Sequence, residues 1–285
     1  MGIMRKESKG FGTVLIQDMK RGMRQNRIKY LVILLFTIAC CCIMYRICHV
    51  KIGRGVIAGM PNFMDYLLYI MQGCAEFKAK GNNVINIPPI WIFVQMMASF
   101  LVFSYAVKDL DKQGMIMLIK SANRTKWWLS KCIWNISTIV VMYLIIWCGV
   151  LIVAVATGEM GLLTTKDICR EALDLTFEQE GIRYSLIVMF MPLIMSLGIS
   201  LMQMTLSLVI GPVFSFTFVL AVDILSVYFL NPFFVGNYSM MMRSDYVISN
   251  GVNPLVGAAI SVVLGISGII LGNVYFKKYD ILNKM

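Results

Sequence analysis

A single histidine, His49, is the whole imidazole supply of this 285-residue chain. A zinc site built on histidines, or a triad with histidine as its base, therefore has almost no raw material. Charge is scarce as well, at 14% Asp, Glu, Lys and Arg against roughly a quarter in an ordinary soluble domain. The 8 cysteines form no CxxC pair that would point to zinc or redox chemistry. Three of them, Cys40-Cys41-Cys42, sit in an apolar stretch, where thiols pack as small hydrophobes. There is no GxxxxGK(S/T) phosphate loop, no HExxH, no GxSxG and no pair of intramembrane carboxylates. Catalysis on this chain has nothing to stand on, and ATP binding in the usual manner is excluded.

What the chain has in excess is apolar surface. Hydrophobic residues make up 59% of it and the mean hydropathy is +0.75, too high for a globule whose outside must be wetted. A helix needs about 20 apolar residues to cross a hydrocarbon core of roughly 30 Å. Six stretches meet or approach that length, at 30–47, 90–107, 132–157, 184–204, 208–230 and 254–276. The first is short before Arg46, whose long side chain can snorkel to the interface. The fourth and fifth have no charge between them and are divided at Gly211-Pro212, because proline disfavours helix in the residue before it. The expected fold is an all-α membrane protein in one transmembrane domain, residues 1–285, with a lead at 1–29 and a tail at 277–285. The first apolar stretch lies behind a long basic lead with no small-residue cleavage site after it, so a cleavable signal is not expected.

The net charge of +11 raises the question of nucleic acid, and its distribution answers otherwise. The lead, the connection between the second and third spans and the tail together hold seventeen basic residues and five acidic ones. The connections on the other side hold nine of each, and Asp223 falls inside a span. Lys and Arg concentrate in cytoplasmic loops, so both termini are expected in the cytoplasm, as an even number of spans requires. A multi-pass protein of a cell membrane, with the lipid bilayer and no nucleic acid as partner, is the resulting expectation.

Several segments rise above connection or anchoring. In the lead, Phe11, Val14, Leu15, Met19 and Met23 form a helical apolar stripe, with Lys20, Arg21 and Arg24 on other faces. An amphipathic interfacial helix follows, which either anchors the chain or also touches a cytoplasmic partner. Between the second and third spans, residues 114–119 are strongly apolar although charges fence them. A short apolar cytoplasmic helix folds back on the bundle or docks into another protein. On the outer side, 63–71 reads as a short helix lying on the membrane, and 158–183, with six acidic residues, as a solvated cap. Asp223 is costly in a span, by about 2.5–3.5 kcal/mol on insertion scales, and such residues face a cavity or a partner helix. Two readings fit it: a lining of a substrate path or proton site, or an aspartate hydrogen-bonded to a neighbouring helix. Gln95, Asn135 and Gln203 read as interhelical glue, and Gly257, Ser261, Gly265, Gly268 and Gly272 as close helix packing within or between subunits.

With these residues in view, the chain resembles the ABC-2-type permeases, the membrane subunits of type V ABC exporters. The likeness rests on the amphipathic lead, on Ser121-Ala122-Asn123-Arg124-Thr125-Lys126-Trp127-Trp128-Leu129-Ser130-Lys131 opening the third span, and on Phe276-Lys277-Lys278-Tyr279-Asp280-Ile281-Leu282. It implies two permease copies, or this chain with a related one, and two copies of a separate ATPase that binds ATP and Mg. Lys112, Met115, Ile116, Leu118, Ile119 and Ser121 would then form the coupling helix seated on that ATPase. The path would lie at the subunit interface, lined by the second and fifth spans, which brings in Gln95 and Asp223. The implied cargo is amphipathic or hydrophobic: a peptide toxin or bacteriocin, an antibiotic or a lipid. An ATP-independent secondary transporter using Asp223, and a non-transporting scaffold or sensor, are the alternatives.

Overall fold

A computed structural model describes residues 11–76, 87–110, 123–175 and 182–278. In chain order the helices are α1 (Phe11–Gly53), α2 (Phe63–Met71), α3 (Pro89–Val102), α4 (Tyr105–Leu110), α5 (Arg124–Thr157), α6 (Lys166–Ala172), α7 (Ile182–Ile210), α8 (Pro212–Tyr228) and α9 (Pro254–Lys278). Two 3-10 turns, Val235–Ser239 and Met241–Arg243, lie between α8 and α9. Among the described residues the only β pairing is one isolated bridge, Ser244 with Val252. The chain is an all-α membrane protein: α1, α3 with α4, α5, α7 and α9 are each long and apolar enough to cross a bilayer. The sixth stretch, α8, is apolar but only 17 residues long. At 1.5 Å per residue it reaches about 26 Å, slightly less than the hydrocarbon core.

Contacts between side chains fix the direction of each helix. Residue 18 meets 131, 22 meets 134 and 30 meets 138, so α1 and α5 run side by side in the same direction. On α3, Leu101 faces Asn26 and Phe100 faces Lys29, which makes it antiparallel to α1. Asn135 meets Ser200 and Tyr143 meets Ser196, so α7 is antiparallel to α5, and α9 runs parallel to α7. The start of α1, the end of α4, the start of α5 and the end of α9 thus gather at one end of the bundle, here called the basic end. Exposed apolar side chains on the outward faces, such as Leu35, Val155, Phe214 and Val263, suit contact with lipid tails.

The division of the fourth and fifth stretches at Gly211-Pro212 agrees with the structure. Gly211 alone separates α7 from α8, and its φ of +88° lies in a region that strongly favours glycine. Pro212 then supplies a preset first helical turn. Elsewhere the structure differs from the expected pattern. The lead and the first span form one helix of 43 residues, about 65 Å long, whose most buried lead positions are Val14, Asp18, Gly22 and Asn26. The expected second span breaks after Val102, because the Asn26 amide (3.3 Å) and the Lys29 ammonium (2.8 Å) donate to the Leu101 and Phe100 carbonyls of its last turn. The third begins eight residues earlier than expected, at Arg124, where the Asn123 side chain accepts from the Lys126 amide at 3.1 Å.

The short helix α2 forms where expected, yet it does not lie on a membrane surface. Tyr66, Leu67 and Leu68 are fully buried in the central core, and of its nine residues only Tyr69 is not buried. A reciprocal cap holds its start: the Asn62 side chain accepts from Met64 and Asp65 amides, and Asp65 accepts from the Asn62 amide. Asp65 also accepts from the Thr165 amide at 2.8 Å, which pins α2 to the start of α6. Burial raises the Asp65 carboxyl pKa to about 6, against the opposing pull of those backbone donors.

The small residues of α9 close an interface within the chain. Gly257 lies against Tyr238, Ser261 donates to the Ile194 carbonyl, and Gly265 and Gly268 face α7. From the other side, Gly198 of α7 brings its backbone so close that a Cβ there would lie 2.4 Å from the Ser261 carbonyl oxygen. Gly198→Leu is expected to force α7 and α9 apart and cost about 1–3 kcal/mol, read as a lower melting temperature of the detergent-solubilised protein. Gly12→Ala, with open space around it, should leave the melting temperature unchanged.

Candidate functional site

The expected coupling residues Lys112, Met115, Ile116, Leu118, Ile119 and Ser121 lie outside the described residues. The helices on either side of that segment are described, and they meet in a buried cluster of charge. Lys131, fully buried in the second turn of α5, places its ammonium 2.6 Å from Asp18 Oδ1 and 2.5 Å from Asp109 Oδ2. Asp18 belongs to α1 and Asp109 to α4, so one cation joins three helices. Arg21, one turn along α1, completes the balance at 2.7 Å from Asp109 Oδ1 and is partly exposed. Two carboxylates thus face two cations.

Hydrogen bonds and aromatic rings add to the cluster. Ser130 Oγ donates to Asp18 Oδ2 at 2.5 Å, and the Tyr105 hydroxyl donates to Asp18 through its carbonyl (3.1 Å) and Oδ1 (3.2 Å). The ammonium also sits 4.8 Å from the Tyr105 ring centroid and 4.9 Å from that of Trp127, where the negative faces of aromatic rings favour a cation. The rings carry the joint outward. Tyr105 stacks on Trp134 at 3.9 Å, and Trp134 occupies the space that a side chain at Gly22 would need. Trp127 stacks on Phe276 of α9 at 4.5 Å, while Arg124 donates to the Phe276 and Lys277 carbonyls. Trp128 donates to the Ile269 carbonyl at 2.9 Å. Four helices are locked together at the basic end, around the points where the chain leaves α4 and reaches α5.

Gln95 and Asp223 fall in a second polar group, deeper in the bundle. Gln95 accepts from Ser196 at 3.3 Å and reaches the Ser239 hydroxyl at 3.5 Å. Ser196 is 2.9 Å from the Tyr143 hydroxyl, which donates to the Pro192 carbonyl. Asp223 is buried on α8 within electrostatic reach of Tyr143, and its Oδ1 has no hydrogen-bond partner among the described residues. The two residues expected on a path are therefore drawn to the same region, Gln95 as satisfied glue and Asp223 as an incompletely paired carboxyl. Asn135 is glue too, bonded to Ser200, and Gln203 donates to the Ser99 carbonyl.

At the far end, Arg243 is fully buried and, among the described residues, no carboxylate lies within ion-pair distance of it. Its guanidinium donates to the Cys74, Ser226 and Val227 carbonyls and to Asn237 Oδ1. Two of these carbonyls belong to the last turn of α8, where a helix is electron-rich and a cation is favoured. Burial still lowers the guanidinium pKa from its ordinary value. Among the described residues no group of three or more His, Cys, Asp or Glu side chains is placed to hold a metal.

In the sequence Asp18, Asp109, Lys131 and Arg243 read as charges outside the spans, and neither centre was expected. A signal for the first was present: Asp18 is the lone acid between Glu7 and Asp65, and it shares one helical stripe with Val14, Gly22 and Asn26. No known protein family, characterised protein or solved structure matches the chain.

Removing Lys131 would leave two buried carboxylates facing each other, so Lys131→Met should cost about 3–5 kcal/mol in thermal or denaturant unfolding. Combining it with Asp18→Asn and Asp109→Asn removes the buried charges and should recover most of that loss. A triple variant no more stable than Lys131→Met would show that the joint is not electrostatic.

Proposed function

We propose that this chain is the permease subunit of an ATP-binding cassette exporter, moving an amphipathic or hydrophobic solute across a bacterial plasma membrane. The observation that carries the reading is the Asp18–Lys131–Asp109–Arg21 cluster. A segment that receives force from a partner needs rigid attachments on both sides, and residues 111–122 have them in α4 and α5. The joint also reaches α1 and α9, so displacement of that segment would move the basic ends of four helices together. The excess of Lys and Arg at this end supports a cytoplasmic orientation, with α8 as a short sixth crossing. These 285 residues hold no phosphate loop, so the reading places ATP and Mg on a separate ATPase, two copies serving two permease chains.

The direct test is affinity purification of the full chain together with the Walker-motif ATPase of its own cells. Co-purification at fixed stoichiometry is expected, and Met115→Asp, Ile116→Asp and Leu118→Asp together should abolish it without lowering the melting temperature. A complex that survives the triple change would remove residues 111–122 from the contact.

The buried, incompletely paired Asp223 favours a second reading, an ion-coupled secondary transporter. Asp223→Asn distinguishes the two. Under the exporter reading the variant still assembles with the ATPase and still stimulates its hydrolysis. Under the secondary-transport reading, proton or cation uptake into proteoliposomes occurs without ATP and is lost in the variant.

A further inference from the structure

The parallel helices α7 and α9 stay in close contact through Gly198, Ser261, Gly265 and Gly268, and a groove lies between them toward the basic end. The cause is a change of partner along α9. At Gly272 the space beside the backbone is taken by Trp128 of α5, since a Cβ there would lie 2.0 Å from its ring. The helix therefore turns its small face to α5, and a groove of about 700 Å³ opens on the α7 side. Leu206 and Val209 of α7 and Leu271, Val274 and Tyr275 of α9 line it, with Lys278 at its mouth. Thr205 adds no free polar group, because its hydroxyl donates to the Gly268 carbonyl at 2.7 Å.

Depth and charge together select an occupant. Val209, Leu271 and Val274 are about half exposed and open onto the lipid-facing exterior. Tyr275, Trp128 and the lysine pair Lys277 and Lys278 mark the level at which hydrocarbon gives way to headgroups. An apolar trough just inside that level, with cations at its rim, matches an amphiphile with a long chain and an anionic head. A second copy of the chain suits it poorly: in a two-fold contact about an axis along the membrane normal, equal heights meet, and the lysine pairs would oppose each other. We propose that this groove is a binding site for one acyl chain of an anionic phospholipid, with Lys278 and the neighbouring Lys277 holding its phosphate. The site needs only the membrane setting and is independent of the exporter reading.

Native mass spectrometry of the full chain tests this, after incubation in detergent with phosphatidylglycerol and phosphatidylcholine of identical acyl chains. One phosphatidylglycerol per chain should be retained in preference to phosphatidylcholine. Lys278→Gln should weaken that preference about fivefold. Val274→Trp, which fills the groove from an exposed position, should abolish retention of the site lipid while the melting temperature holds. Equal retention of the two lipids by the unaltered protein would overturn the proposal, as would unchanged preference in both variants. A dimer that Val274→Trp dissociates, with lipid retention unaltered, would assign the groove to a second copy instead.

Discussion

An ammonium group without water needs its charge answered locally, and Lys131 is fully buried. Asp18 and Asp109 answer it from two other helices, with Arg21 balancing the second carboxylate. Each of these groups would be expensive alone in an apolar bundle, and together they are neutral and hydrogen-bonded. The requirement is geometric as well as electrostatic. The end of α4, the first turns of α1 and the start of α5 must arrive at one point, or none of the charges can be buried. The break after Val102 belongs to the same constraint. It frees Tyr105 to aim its hydroxyl at Asp18 and its ring at Lys131 and Trp134.

From that joint the packing spreads by aromatic contact and then by small residues. Trp134 fits against Gly22, Trp127 stacks on Phe276, and Trp128 fills the space beside Gly272. Farther along, Gly198, Ser261, Gly265 and Gly268 let α7 and α9 touch through backbone and short side chains. Lipid tails are as apolar as leucine, so apolarity by itself does not draw membrane helices together; close fit and interhelical hydrogen bonds do. The opposite end uses a different device. Arg243 gathers carbonyls at the end of α8, and the capped helix α2 fills the core beside it. The two ends thus differ in kind, one bound by ion pairs and the other by a cation on backbone carbonyls.

Much of the architecture was legible because hydrophobic length is a local property. The ends of α9 and the C-terminus of α5 follow their apolar runs closely, and the turn at Gly211-Pro212 follows from backbone chemistry of two residues. Residues 63–71 show where such reading stops. Their apolarity and the Asn62–Asp65 cap specify a helix, but an apolar helix is equally content against lipid or inside protein. Only the packing of α5, α7 and α1 around it decided for the core. Asp18 and Lys131 show a second limit. A charge near the end of a span looks the same in sequence whether it is solvated or paired across 113 residues.

By itself the sequence determined an all-helical membrane protein, the approximate position of its apolar segments, the gathering of basic residues at one end and the lack of a phosphate loop. These depend on composition and on the length of apolar runs, which neighbours in space do not alter. Only the tertiary structure decided that Lys131, Asp18 and Asp109 form one buried cluster, that the glycines of α9 close an internal seam, and that α7 and α9 flank a groove. Each of these is a meeting of residues distant along the chain. Burial, pairing and shape arise from such meetings, and no local pattern records them.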